Sequence, residues 1–222
     1  MAIKRTAVVA LAVCSALGVQ ATLQAQMGGM GGGQGGGGMG GNRGAGMGMG
    51  AGPAVAPGTI IDPAKSFDAQ LTQIENTIMG AAKAMPAEKY SFAPSQAMFA
   101  PGQAVKYDGV RTFAQLCTHT IQANYRFFGA IGGIKPDADM QAIGNLKTKD
   151  EILKAFADTF AFAHKAVANV TPANAFESVR GMQTRASTFA AAIGHAEDEY
   201  GQIVEYLRMN AIIPPASQMK EM

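Results

Sequence analysis

From Asp62 onward, apolar residues recur at three- and four-residue steps, the spacing of one buried face on an α-helix. The first run carries Phe67, Leu71, Ile74, Ile78, Ala81 and Met85. Asp62-Pro63 reads as an N-cap followed by proline in the first turn, and Pro86 closes the helix. A second helix is predicted over 110–131, with Phe113, Leu116, Thr120, Ala123, Phe127 and Ile131 inside and Gly132-Gly133 as its stop. The third opens at Thr148, whose spacing to Glu151 forms a capping box, and places Leu153, Phe156, Phe160, His164 and Val167 on its inner stripe before Pro172. The fourth covers 184–209, with Phe189, Ile193, Ala196, Tyr200, Ile203 and Leu207 inside.

Four amphipathic helices of roughly 20 residues predict an all-α four-helix bundle over 60–217, with a short tail at 218–222 and no strands to speak of. About 16 residues join the second and third helices. That is enough chain to travel the length of a bundle, so consecutive helices need not alternate in direction.

The chain before the bundle has a different character. A short basic start, "MAIKR", precedes the apolar run "TAVVALAVCSALGV" and small-residue cleavage sites after Ala21 or Ala25. This is the layout of a secretory signal peptide over 1–25, with a retained N-terminal anchor as the alternative. Residues 26–59 follow as a glycine- and methionine-rich tether, with 16 glycines between Gly28 and Gly52 and nothing to bury. Met27, Met30, Met39, Met47 and Met49 offer soft thioethers that suit copper(I), but linker composition explains them more simply. The mature protein is therefore expected to be exported, to a periplasm or the extracellular space.

Export alters the charge argument. Lys4 and Arg5 account for the net charge of +2, leaving 16 basic and 16 acidic residues in the remainder. A neutral chain without a basic cluster gives no footprint for nucleic acid, or for a membrane once the signal is cleaved. Cys14 leaves with the signal, so Cys117 has no disulfide partner and is expected to be buried and inert.

Histidine is scarce, and that narrows the candidate chemistry. His119, His164 and His195 fall on three different helices. His195 and Glu199 are four residues apart, one above the other on the flank of the fourth stripe, while Glu197, Asp198, Glu205 and Arg208 point to solvent. His119 lies on the edge of the second stripe. Cys117, about 160° around the helix from His119, is turned away from it. Side chains projecting between facing helices in this way can hold a metal, although a half-buried histidine and a solvated glutamate are the plainer reading. His164 reads as a core histidine with one hydrogen bond. It would become a further ligand only if the third helix faced the same cavity.

"TFAQLCTHTIQANYRFFGAI" and "HAEDEYGQIVEYLRMNAIIPPAS" resemble the second and fourth helices of the DinB-like superfamily of four-helix bundles. "MPAEKYSF" and "TKDEILKAF" are similar to its connecting segments. The resemblance implies one metal-ligand histidine on the second helix, matching His119, and an H-x-x-x-H pair on the fourth, matching His195 and Glu199. At Glu199 this sequence departs from the pattern. Zinc accepts two imidazoles and a carboxylate, so the exchange leaves a divalent ion, zinc or nickel, as the expected cofactor. Some relatives are metal-dependent thiol transferases or hydrolases, which implies a small-molecule substrate and is compatible with a homodimer. The alternative is a non-catalytic envelope scaffold or binding protein whose metal site has decayed.

Overall fold

The computed structural model describes residues 55–218 apart from Phe99, Val105 and Tyr107. The expected signal peptide, most of the expected tether and residues 219–222 lie outside the described residues. Among the described residues the fold is all-α apart from one short hairpin. Its helices are α1 (Pro63–Ala84), α2 (Phe113–Gly132), the short α3 (Met140–Gly144), α4 (Lys149–Val167) and α5 (Arg185–Met209), with strands β1 (Ser178–Arg180) and β2 (Gln183–Thr184) between α4 and α5. Among the described residues no helix is long and apolar enough to cross a membrane.

Local chemistry sets the helix ends. Asp62 accepts from Lys65 N at 3.2 Å and Pro63 occupies the first turn of α1. Thr148 and Glu151 form the capping box expected for α4. The start of α2 is later than predicted, because Thr112 and Gln115 form a second capping box and leave Val110 and Arg111 outside the helix. Gly132 is still helical. The chain stops at Gly133, which takes the left-handed conformation at φ 63°.

The four long helices pack in a closed cycle, α2 against α4 and α5, and α1 against α5 and α4. Their directions follow from the contacts. Thr159 bonds the Ile121 carbonyl and Gly132 touches Ala166, so α2 and α4 run parallel. His119 meets Glu199 while Arg185 bonds the Ile131 carbonyl, so α2 and α5 run antiparallel. Asp68 meets His164 and Lys149 reaches the Lys83 carbonyl, which makes α1 and α4 antiparallel as well. Parallel α2 and α4 oblige their connection to return along a helix about 30 Å long. Residues 133–148 do so, and α3 lies within them, held to α2 by Gln122 Nε2 donating to the Met140 carbonyl at 2.6 Å.

The core is one cluster built from all four long helices, including Leu71, Ile78, Leu116, Ile121, Phe156 and Leu207. Two stripes are rotated from their predicted phase. On α4 the buried face runs through Ile152, Phe156, Thr159, Phe160, Ala163 and Val167, which moves Leu153 and His164 to its flank. On α5 it runs through Phe189, Ala192, Ala196, Glu199, Ile203 and Leu207. Ile193 and Tyr200 are only partly buried, and a glutamate occupies the centre of an apolar face.

Candidate metal centre

α2 brings His119 and α5 brings His195 and Glu199 to one point between the two helices. Glu199 Oε1 lies 3.4 Å from His119 Nε2 and 3.6 Å from His195 Nε2. The imidazole rings are tilted at 46° with centroids 5.5 Å apart, and Phe127 packs against the His195 ring. One ligand atom from each of the three residues lies within 4.8 Å of the other two.

The burial is unequal. The two imidazoles are half-buried, whereas Glu199 is only 3% exposed. Its Oε2 and the His195 Nδ1 are buried without a hydrogen-bond partner. Buried polar atoms are rarely left this way, because an unsatisfied one costs about 1–3 kcal/mol.

Electrostatics sharpens the picture. Burial pushes the His119 pKa down, and the charges of Arg111, His195 and Arg126 add to that. Burial also lowers His195, against the opposing pull of Asp198. Both rings are therefore neutral near pH 7, with lone pairs free for a metal. Burial raises the Glu199 carboxyl, partly offset by Arg111, so the carboxylate lacks the stabilising charge that would make it comfortable here.

The donor set fits a divalent ion. Bonds of about 2.0–2.2 Å at tetrahedral angles put neighbouring ligand atoms about 3.3–3.6 Å apart. The contacts of 3.4 and 3.6 Å between the imidazole nitrogens and Oε1 are of that size, and both exceed ordinary hydrogen-bond lengths. The three residues could hold one divalent ion through two neutral nitrogens and one anionic oxygen.

His164 takes no part. Its Nδ1 is 2.5 Å from Asp68 Oδ1 and its Nε2 is 3.0 Å from Glu75 Oε2, both on α1. This corrects the expectation of a core histidine with a single hydrogen bond. The residue is a partly exposed clamp between α1 and α4, and α4 does not turn it towards the other two histidines. Cys117 is fully buried, and its thiol is pushed far up, first by burial and then by the Glu199 charge. It cannot serve as a thiolate.

Two features escaped the sequence reading. Arg111 stands beside His119, with its guanidinium nitrogen 3.5 Å from Nδ1. An open cleft of about 410 Å³ adjoins both residues, lined also by Gln115, Thr118 and Gln122. Neither could be found by periodicity, because Arg111 precedes the helix and the cleft depends on how α3 meets α2. A larger cleft of about 540 Å³ lies between α3 and α4 and includes none of the three candidate ligands.

The sequence profile of the DinB superfamily matches residues 70–203, more than half the chain and all of the region that carries His119, His195 and Glu199. The chain belongs to the DinB superfamily. No curated protein and no solved structure matched it. Within this DinB-superfamily chain, the match begins inside α1 and ends inside α5, so it takes in all four long helices and the connections between them.

Proposed function

We propose that this protein is an exported DinB-like four-helix bundle that binds one divalent metal, zinc or nickel, through His119, His195 and Glu199. The observation that carries the reading is Glu199. A carboxylate at the centre of a buried stripe, with Oε1 facing two neutral imidazoles and Oε2 unpartnered, has no structural use unless a cation joins it. The reaction class follows the superfamily, a metal-dependent thiol transfer or hydrolysis on a small molecule.

A divalent ion held there would supply Lewis-acid activation of a thiol or water nucleophile. The chain's own residues do the remaining work. Phe127 packs on the His195 ring and, with the apolar α2–α5 interface, limits water around the carboxylate. Tyr206 holds the backbone of Arg111, which lines the cleft, by donating its hydroxyl to the Arg111 carbonyl at 2.9 Å. Since Cys117 is buried and protonated, a thiol nucleophile would have to be a cosubstrate that enters from the cleft.

Metal analysis of the untagged chain purified from its native compartment tests the reading. About one equivalent of zinc or nickel is expected, and its loss in His119→Ala and His195→Ala. Metal-free protein that also takes up none from solution would refute the proposal.

A further inference from the structure

Arg111 is a charged side chain whose only hydrogen-bond contact among the described residues is with a histidine that would be a metal ligand. Its guanidinium approaches His119 Nδ1 at 3.5 Å, the limit of hydrogen bonding, and none of the described carboxylates lies within 4 Å of it. Its backbone is nonetheless fixed, because its carbonyl accepts the Tyr206 hydroxyl. The side chain lines the cleft of about 410 Å³ with Gln115, Thr118 and Gln122, a polar space of the size that takes a small metabolite. An anchored arginine at the mouth of a metal site, feeling the Glu199 carboxylate but with no ion-pair partner within 4 Å among the described residues, suits an anion.

We propose that Arg111 and the ion held by His119, His195 and Glu199 together receive the oxyanionic group, carboxylate or phosphate, of a small-molecule substrate, so that ion and anion reinforce each other's binding. The proposal rests on the metal reading above. Its first part is charge balance. A divalent ion with one carboxylate ligand keeps a net charge of about +1, and Arg111 beside it brings the pocket to about +2. A neutral substrate would leave that charge uncompensated, whereas an oxyanion can offer oxygens to both cations. The nearby Asp198 is exposed on α5 and does not pair with Arg111.

The second part is linkage. Arg111 and His119 line the same cleft, so an oxyanion seated there would meet the guanidinium and the ion together. Metal and anion therefore bind with positive coupling, and each raises affinity for the other by the same factor.

Zinc titrations of the full chain test this, with and without saturating acetate or methylphosphonate and with each probe's own zinc binding measured separately. In wild type at least one probe is expected to raise zinc affinity about threefold or more. Arg111→Gln should abolish the shift while still binding zinc, Arg111→Lys should restore part of it, and Arg180→Gln, on the exposed hairpin, should leave it unchanged. A response to methylphosphonate alone identifies a phosphate group, one to acetate alone a carboxylate, and either supports the shared chemistry. If zinc binds but neither probe shifts it, or the shift persists in Arg111→Gln, the anion assignment falls and the metal reading stands. If wild type takes up no zinc, both fall together.

Discussion

Glu199 and His119 belong to helices that run in opposite directions, yet Oε1 of one lies 3.4 Å from Nε2 of the other. Neither helix could place this pair alone. The contact exists because α5 packs on α2 and carries Glu199 on its buried face with Ala192 and Ala196, one helical turn after His195.

A buried carboxylate kept for a cation should burden the metal-free protein. Glu199→Met removes an unsatisfied buried oxygen, worth about 1–3 kcal/mol, and fills the same space with an apolar chain. The metal-free variant is expected to melt several degrees above metal-free wild type and to gain nothing from added zinc. A lower melting temperature would mean that Glu199 stabilises the fold by itself.

His164 supplies the pH dependence. Burial lowers its pKa, but the carboxylates of Asp68 and Glu75 outweigh that and the net shift is upward. A raised folded pKa stabilises in full below the unfolded value, about 6.5, and the contribution disappears as pH climbs through the folded value. The melting-temperature difference between wild type and His164→Gln should therefore be largest below about pH 6.5 and shrink as the pH rises through the raised folded value. Its size should stay within about 1 kcal/mol, since the clamp is partly exposed. His164→Leu should keep the full metal content, and loss of metal with the fold intact would make His164 a ligand.

Gly132 sets the closeness of α2 and α4. A Cβ there would meet Ala166 Cα at 2.7 Å, and backbone cannot yield as a flexible side chain can. Helix propensity favours alanine by about 0.5–1 kcal/mol. Overpacking costs about 1–3 kcal/mol. Gly132→Ala should thus lower the urea midpoint, and an unchanged midpoint would show that the two helices separate freely.

Much of this arrangement was legible in the sequence because it is local. Asp62-Pro63, Thr148 with Glu151, and Gly133 mark helix ends through contacts within four residues. The phase of α5 was not legible in the same way. Tyr200 and Glu199 are neighbours, and an apolar stripe drawn by residue type selects the tyrosine, whereas the packed helix buries the glutamate. The regular three- and four-residue steps through Phe189, Ala192, Ala196 and Ile203 also pass through Glu199, and that was the available signal. Asp68 and Glu75, seven residues apart on one face of α1, could similarly have suggested a partner for His164. The five-residue α3 and the hairpin are too short to show a period, and Arg111 meets His119 only through tertiary structure.

The most direct measurement of the central claim is a competition titration of zinc and nickel into wild type, Glu199→Ala and Glu199→His. If the three side chains share an ion, Glu199→Ala should weaken binding more than tenfold, about 1.4 kcal/mol. Glu199→His puts a nitrogen at nearly the reach of the glutamate oxygen and should hold or raise the affinity. Equal, weak binding by wild type and Glu199→Ala, with tight binding only in Glu199→His, would contradict the account and make the site a relic on a structural scaffold.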